Sequence, residues 1–404
     1  MPAACFYFQL HQPRRLRRFT AFDGGTDYFD EAANAEILRR VATRSYLPGL
    51  RLLRGMLAEG GAESMRVGLS VTGELMEQLA EHAPAVLEEL AALAATGKAE
   101  FLGETYHHSL ASFYDLDEFE SQVVRHAEAV RERFGQTPVV FRNTELLYSD
   151  ALAAQLVELG GYTGVLTEGV ERSLGGRSPN RLYAPALPPA APADAHADAP
   201  AATPPAILLR NHPLSDAIGF RFGVSGPHGG RLTATHYARL LADQPGDVVG
   251  VFLDFEVFGE HQAGPKHTFD FLAGLPEALA SAGVPCVAPA EAIDLYRPVG
   301  RLAAPKAISW ADRERDLSAW LGNAMQASAA ADHYALAGAI ARSGDEPLLR
   351  DWRRLSNSDH LYYMSTKGEG DGAVHRSFSP YESPYAAYIN YMNVLDSLRA
   401  RARG

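Results

Sequence analysis

Two acidic segments carry the chemistry this sequence can support. Phe141-Arg142-Asn143-Thr144-Glu145-Leu146 puts Glu145 just past the apolar run Val139–Phe141. Val248–Leu253 leads directly into Asp254-Phe255-Glu256-Val257-Phe258-Gly259-Glu260-His261-Gln262. Such apolar runs predict strands buried on both faces in an α/β protein. A carboxylate at the C-terminal end of a strand of this kind lies where barrel enzymes keep their reactive groups. Two carboxyls facing one cleft suffice for glycosidic bond cleavage, one ionised as nucleophile and one protonated as acid. Arg142 and Asn143 favour an anionic Glu145. The apolar approach to Asp254, with Glu256 two residues on, favours a protonated Asp254.

Two further polar clusters end predicted strands. They are Gln9-Leu10-His11-Gln12-Pro13 and Gly103-Glu104-Thr105-Tyr106-His107-His108-Ser109. In a barrel, such ends converge on one mouth, which makes His11, Glu104, His108, Asn143, Glu256 and His261 candidate binding residues. The histidine spacings match no HExxH or HxH zinc signature. Adjacent His107 and His108 would face opposite sides of an extended chain. His11 and His108 are therefore read as contacts to sugar hydroxyls, and no metal is expected. Neither GxxxxGK[ST] nor GxGxxG occurs, which removes phosphate-loop and dinucleotide readings.

The elements that must position these groups alternate. Predicted strands are Cys5–Gln9, Met65–Ser70, Glu100–Leu102, Val139–Phe141, Gly164–Thr167, Ile207–Arg210 and Val248–Asp254, with Pro285–Ala288 as an eighth edge. Helical periodicity marks Glu74–Ala95, stopped by Gly97, then Leu116–Phe134 and Ala151–Leu159. The alternation favours a parallel sheet or barrel over residues 1–302. Ala184–Ala206 is Ala/Pro-rich and reads as an extended surface loop. Residues 303–404 read as a C-terminal helical subdomain with helices at Glu314–Ala341, Glu346–Leu355 and Tyr385–Arg403. All three tryptophans fall in that region. Most of its aromatics are expected in the core, with Trp310 and Trp320 as candidate sugar-stacking platforms at the rim.

The chain has 404 residues, 47% of them hydrophobic, and a net charge of −12. The acidic balance argues against nucleic acid or an anionic membrane as partner; an uncharged polymer suits it better. Cys5 and Cys286 are read as buried free thiols. The N-terminus reads as a first strand and not a signal peptide, and no run approaches the ~20 apolar residues of a membrane span. A cytoplasmic location is expected, and nothing in the sequence sets the oligomeric state.

The clusters together resemble glycoside hydrolase family 57, in its α-amylase-like branch. His11-Gln12-Pro13, Glu100–Leu110, Phe141–Leu146, Asp254–His261 and Arg315–Asn323 are similar to its five signatures. Leu209–Asp216 and Phe378–Pro384 are similar as well. The resemblance implies an incomplete (β/α)7 TIM-like barrel followed by helices. It implies retaining cleavage of α-1,4 bonds in starch, glycogen or maltodextrins, with no cofactor. Glu145 is then the nucleophile and Asp254 the general acid/base, with His11 and Glu256 binding sugar beside the cleaved bond. The chain departs from the branch at His107, Phe255 and Val257. It also departs at Ala263-Gly264, where an aromatic is usual. Alternatives on the same site are a 4-α-glucanotransferase or branching enzyme and a catalytically weak glucan-binding protein. A metal-dependent carbohydrate deacetylase would need an Asp and two His on one metal.

Overall fold

In the computed structural model the predicted apolar runs become one curled sheet. The structure describes every residue except 60–64, 188–202, 221, 223–231, 262–264, 369 and 404. The strands are β1 (Ala3–Leu10), β2 (Val67–Val71), β3 (Ala99–Phe101), β4 (Val140–Arg142), β5 (Gly164–Glu168), β6 (Ala184–Pro185), β7 (Ala206–Arg210), β8 (Val248–Asp254) and β9 (Arg301–Leu302). Seven form a sheet in the order β3-β2-β1-β8-β7-β5-β4, and every pair in it is parallel. Every position of β1, β2, β5 and β7 is buried, as apolar strands covered on both faces require.

The two edges of the sheet meet. Gly103, just past β3, bridges Phe141 of β4, its N–H donating to Val140 O at 2.9 Å while Arg142 N donates to Gly103 O at 2.8 Å. The result is a (β/α)7 barrel with thin seams at this bridge and at the single β7–β8 pair, Arg210 with Gly250. Register sets the site. Gln9 of β1 stands beside Asp254 of β8, and both end their strands at the same rim.

Pro285–Ala288 is not an eighth strand. β2 begins pairing with β1 at Phe6, which leaves the edge at Ala4 free, and Cys286 fills it with one bridge. The stretch predicted as one helix from Glu74 is two, Gly73–His82 and Pro84–Ala94. Pro84 has no N–H to continue the first helix and starts the second at its first turn. Leu116–Phe134 is helical as predicted, capped by the Asp115 side chain and ended by left-handed Gly135.

The predicted Glu314–Ala341 helix is three pieces, Ser318–Leu321, Ala324–Tyr334 and Ala337–Ser343. Asn323 and Gln326 form a capping box that starts the second. Helices beyond residue 303 do not bury their apolar faces only against one another. Trp320, Trp352, Leu355, Val394 and Leu395 share one core with Phe141, Val165, Ile207 and Leu209 of the barrel strands. The ends of the predicted Ala184–Ala206 loop are strands, since β6 pairs with β9 and Ala206 opens β7; the middle of that loop lies outside the described residues. No helix among the described residues is long and apolar enough to cross a membrane.

Candidate active site

A 3-10 turn, Thr144–Leu146, follows β4 so sharply that Glu145 and Leu146 take φ of 55° and 53°. Left-handed backbone costs a non-glycine residue about 1–2 kcal/mol, so the surroundings must hold it. Ser309 Oγ donates to Glu145 O at 2.9 Å. The Leu146 side chain is fully buried among Leu166 and Leu208. The turn delivers the Glu145 carboxylate to two donors. His108 Nε2 lies 2.7 Å from Oε1, and Trp310 Nε1 donates to Oε2 at 2.7 Å.

The hydrogen-bond order fixes the tautomer of His108. Arg142 has only donors, so its contact with Gln9 makes Gln9 Oε1 the acceptor. Gln9 Nε2 then donates to His108 Nδ1 at 3.4 Å, which leaves the ring proton on Nε2, aimed at Glu145. Burial and the neighbouring His11 push His108 down to about 4, so it is neutral when it donates. Burial alone would raise Glu145. The His108 hydrogen bond, the Arg142 charge and the Trp310 N–H outweigh it and hold the carboxylate below the ordinary glutamate range.

Asp254 is driven the other way. Burial first, then the charges of Glu256 and Glu145, push it up to about 8, against the opposing Arg142 and His11. Glu256 sits on the 3-10 turn Phe255–Val257 and is 3% exposed. It accepts from the Tyr46 hydroxyl, and the His11 backbone N–H donates to it at 3.5 Å.

His11 stacks on His108 with ring centroids 4.0 Å apart. Its Nδ1 lies 2.9 Å from Thr72 Oγ1 and its Nε2 2.9 Å from Asp359 Oδ2. Burial disfavours the imidazolium, but the Asp359 bond outweighs it and His11 is raised above its usual value. Burial likewise opposes the Asp359 charge, yet the His11 bond brings that acid down to about 2. Asp359 opens the short helix Asp359–Tyr362 and carried no spacing signal. Only the docking of the C-terminal helices on the barrel brings it here.

Six candidates from the sequence thus meet: His11, His108, Glu145, Asp254, Glu256 and Trp310. Trp310 serves as an N–H donor, with the Arg142 and Arg210 guanidiniums 5.3 and 5.6 Å from its ring centre. Glu104 and Asn143 are fully buried. Glu104 lies behind His108, 3.7 Å from Arg142 Nη1, where burial lifts it to about 7. Asn143 Nδ2 donates to Ser112 Oγ and so braces the turn. Trp320 is not at the rim. It is 1% exposed inside the shared core, because helix Ser318–Leu321 turns it inward. His261 is exposed, its ring 5.4 Å from that of Phe378. Ala263-Gly264, where the resemblance marks a missing aromatic, lies outside the described residues.

His107 and His108 do face opposite ways. Arg125 Nη1 approaches His107 Nε2 at 3.3 Å on the helix side. His11, His108 and Asp359 bring ligand-type atoms within 4.8 Å of one another. Those atoms already hydrogen-bond within the site.

Comparison with known proteins bears on family and fold. The sequence model described as glycosyl hydrolase family 57 matches residues 5–305. A protein of Methanocaldococcus jannaschii described as "Putative alpha-amylase" is 36% identical over 96% of this chain and 82% of its own length. Among solved structures, the GH57-type branching enzyme of Pyrococcus horikoshii superposes with a TM-score of 0.67 at 14% identity. That match covers 100% of this chain and 94% of the other. An α-amylase of Thermotoga maritima gives 0.58 at 14% identity, covering 99% and 94%. The 4-α-glucanotransferase of Thermococcus litoralis gives 0.58 at 16% identity over 96% of this chain, which spans only 53% of that enzyme. At these identities the structural likeness is one of fold. The sequence match runs through both carboxylate segments and most of the chain, which therefore belongs to glycosyl hydrolase family 57.

Proposed function

We propose that this glycoside hydrolase cleaves α-1,4 bonds of glucans such as starch, glycogen or maltodextrins with retention. Glu145 is the nucleophile and Asp254 the acid/base. The observation that carries the reading is the opposite displacement of the two acids. His108 and Trp310 donate to a Glu145 held ionised, while half-buried Asp254 is pushed up to about 8 and keeps its proton at neutral pH.

The chemistry follows from those states. A Glu145 oxygen attacks the anomeric carbon and forms a glycosyl ester. As the C–O bond breaks, Asp254 gives its proton to the glycosidic oxygen, and the shortened glucan leaves as an alcohol. Asp254, now a carboxylate, takes a proton from water, whose oxygen displaces Glu145 from the anomeric carbon. His11 and Asp359, hydrogen-bonded to each other, offer polar contacts to sugar hydroxyls, as does Glu256.

The test is product analysis of wild type, Glu145→Gln and Asp254→Asn with maltoheptaose, amylose and glycogen. New reducing ends from wild type alone are expected. Longer or branched products without net reducing ends would replace hydrolysis with transfer. Binding without turnover in the wild type would leave a glucan-binding protein.

A further inference from the structure

One π-helical turn, Ala42–Tyr46, joins the helices Glu31–Val41 and Leu47–Glu59. Such turns are less stable than α-helix and recur at functional sites. This one packs on the loop that carries Asp254 and Glu256. Gly259 has φ of 103°, and Arg44 O leaves no room for a side chain there. Ser45 Oγ reaches Phe255 O at 3.5 Å, and the Tyr46 hydroxyl donates to Glu256 Oε1. Tyr46 is fully buried. Burial and the Glu256 charge push its hydroxyl well above the usual tyrosine range, so it keeps its proton and remains a donor.

We propose that Tyr46 is a positioning residue: its hydroxyl holds the Glu256 carboxyl in place beside Asp254 and so sets the pH range in which Asp254 can still donate a proton. The groups that face Asp254 are Tyr7 and His11 from β1 and its end, Arg142 and Glu145 from β4 and its turn, Glu256 from its own loop, and Tyr46 from the π turn. After burial, Glu256 is the strongest influence that keeps Asp254 protonated, and His11 and Arg142 oppose it. Without the Tyr46 donor, the Glu256 carboxyl is free to turn away from Asp254. Its charge then no longer opposes ionisation of Asp254.

This inference rests on the hydrolase reading, and the test separates the two. Rate–pH profiles on maltoheptaose are compared for wild type, Tyr46→Phe, Glu256→Gln and the double variant, with circular dichroism to confirm folding. Tyr46→Phe keeps the buried ring and removes one hydroxyl. Its alkaline limb is expected to move to lower pH, by no more than the limb of Glu256→Gln moves, because Tyr46 acts only through Glu256. Glu256→Gln reads the same limb without touching Tyr46, and the double variant should shift no further than Glu256→Gln alone. A Tyr46→Phe profile lowered in height with its limbs in place would overturn the proposal. If the wild type cleaves no α-glucan, the hydrolase reading fails on its own. Carbon-13 NMR of labelled aspartate carboxyls then reads Asp254 directly, and an unshifted titration in Tyr46→Phe would overturn the inference too.

Discussion

Replacing Asp254 with asparagine should stabilise the folded chain at neutral pH while it removes turnover. In the folded protein Asp254 titrates at about 8, against 3.8 for an ordinary aspartate. Below pH 3.8 the folded and unfolded chains both hold the proton, and the group contributes nothing. Between those values the folded chain retains a proton that the unfolded chain has released. Stability therefore falls as pH rises, by about 1.4 kcal/mol per unit. At pH 7, 3.2 units above the ordinary aspartate value, the accumulated cost is roughly 4 kcal/mol on that slope. Asparagine has nearly the same shape and no charge to desolvate, so the variant should recover much of it. A chain of 404 residues unfolds with an entropy near 0.85 kcal/mol/K by the usual per-residue value, so the midpoint should rise by about 4 °C. The assay is thermal unfolding by circular dichroism at one scan rate, at pH 4 and pH 7. The gain should be present at pH 7 and nearly absent at pH 4. Equal differences at both pH values, or a destabilised variant at pH 7, would show that Asp254 is charged in the resting protein and refute the reasoning.

Glu145→Gln should lower kcat by ~10³-fold or more while calorimetry finds maltoheptaose affinity within a few-fold of wild type. Loss of binding in parallel would place Glu145 in ground-state recognition. Trp310→Phe removes one of the two N–H donors on Glu145. The acid limb of the rate profile should move up by about half to one pH unit, with KM little changed. Asp359→Asn takes the carboxylate from its hydrogen bond with the His11 ring. It should cost about 2 kcal/mol in denaturant unfolding at pH 7, since the pair is only partly shielded from solvent. Asp359 is depressed to about 2, so its contribution is present above pH 3.8. The difference between variant and wild type should shrink as pH falls from 3.8 toward 2.

The strands were legible because a sheet covered on both faces needs unbroken apolar runs. β8 was read to the residue from Val248–Asp254, and the reactive ends of β1, β4 and β8 followed from it. The Leu116–Phe134 helix was legible from its periodicity. Pro84 was present in the sequence, but the apolar periodicity carried through it and masked the break. Asp359 was invisible for a different reason: it reaches His11 across 348 positions, and no local pattern encodes that docking. Trp310 and Trp320 are both large aromatics in the same stretch of sequence. Only the shared core separates the one that donates to Glu145 from the one that is sealed inside. The π turn at Ala42–Tyr46 has an unremarkable composition, and its meaning lies wholly in the loop packed against it.

The shared core between the barrel strands and the last hundred residues also has a temporal consequence. Both proposed reacting acids have been synthesised once Asp254 is translated, yet Trp310 and Asp359 are still to come. At ~5–20 residues per second, a ribosome takes roughly 5–20 s more to reach Asp359. During that interval the nascent barrel exposes Phe141, Val165, Ile207 and Leu209 without the helices that cover them. It also holds the proposed nucleophile with one of its two donors missing. Catalytic competence should therefore appear late in synthesis, as a single event that coincides with the sealing of the barrel flank.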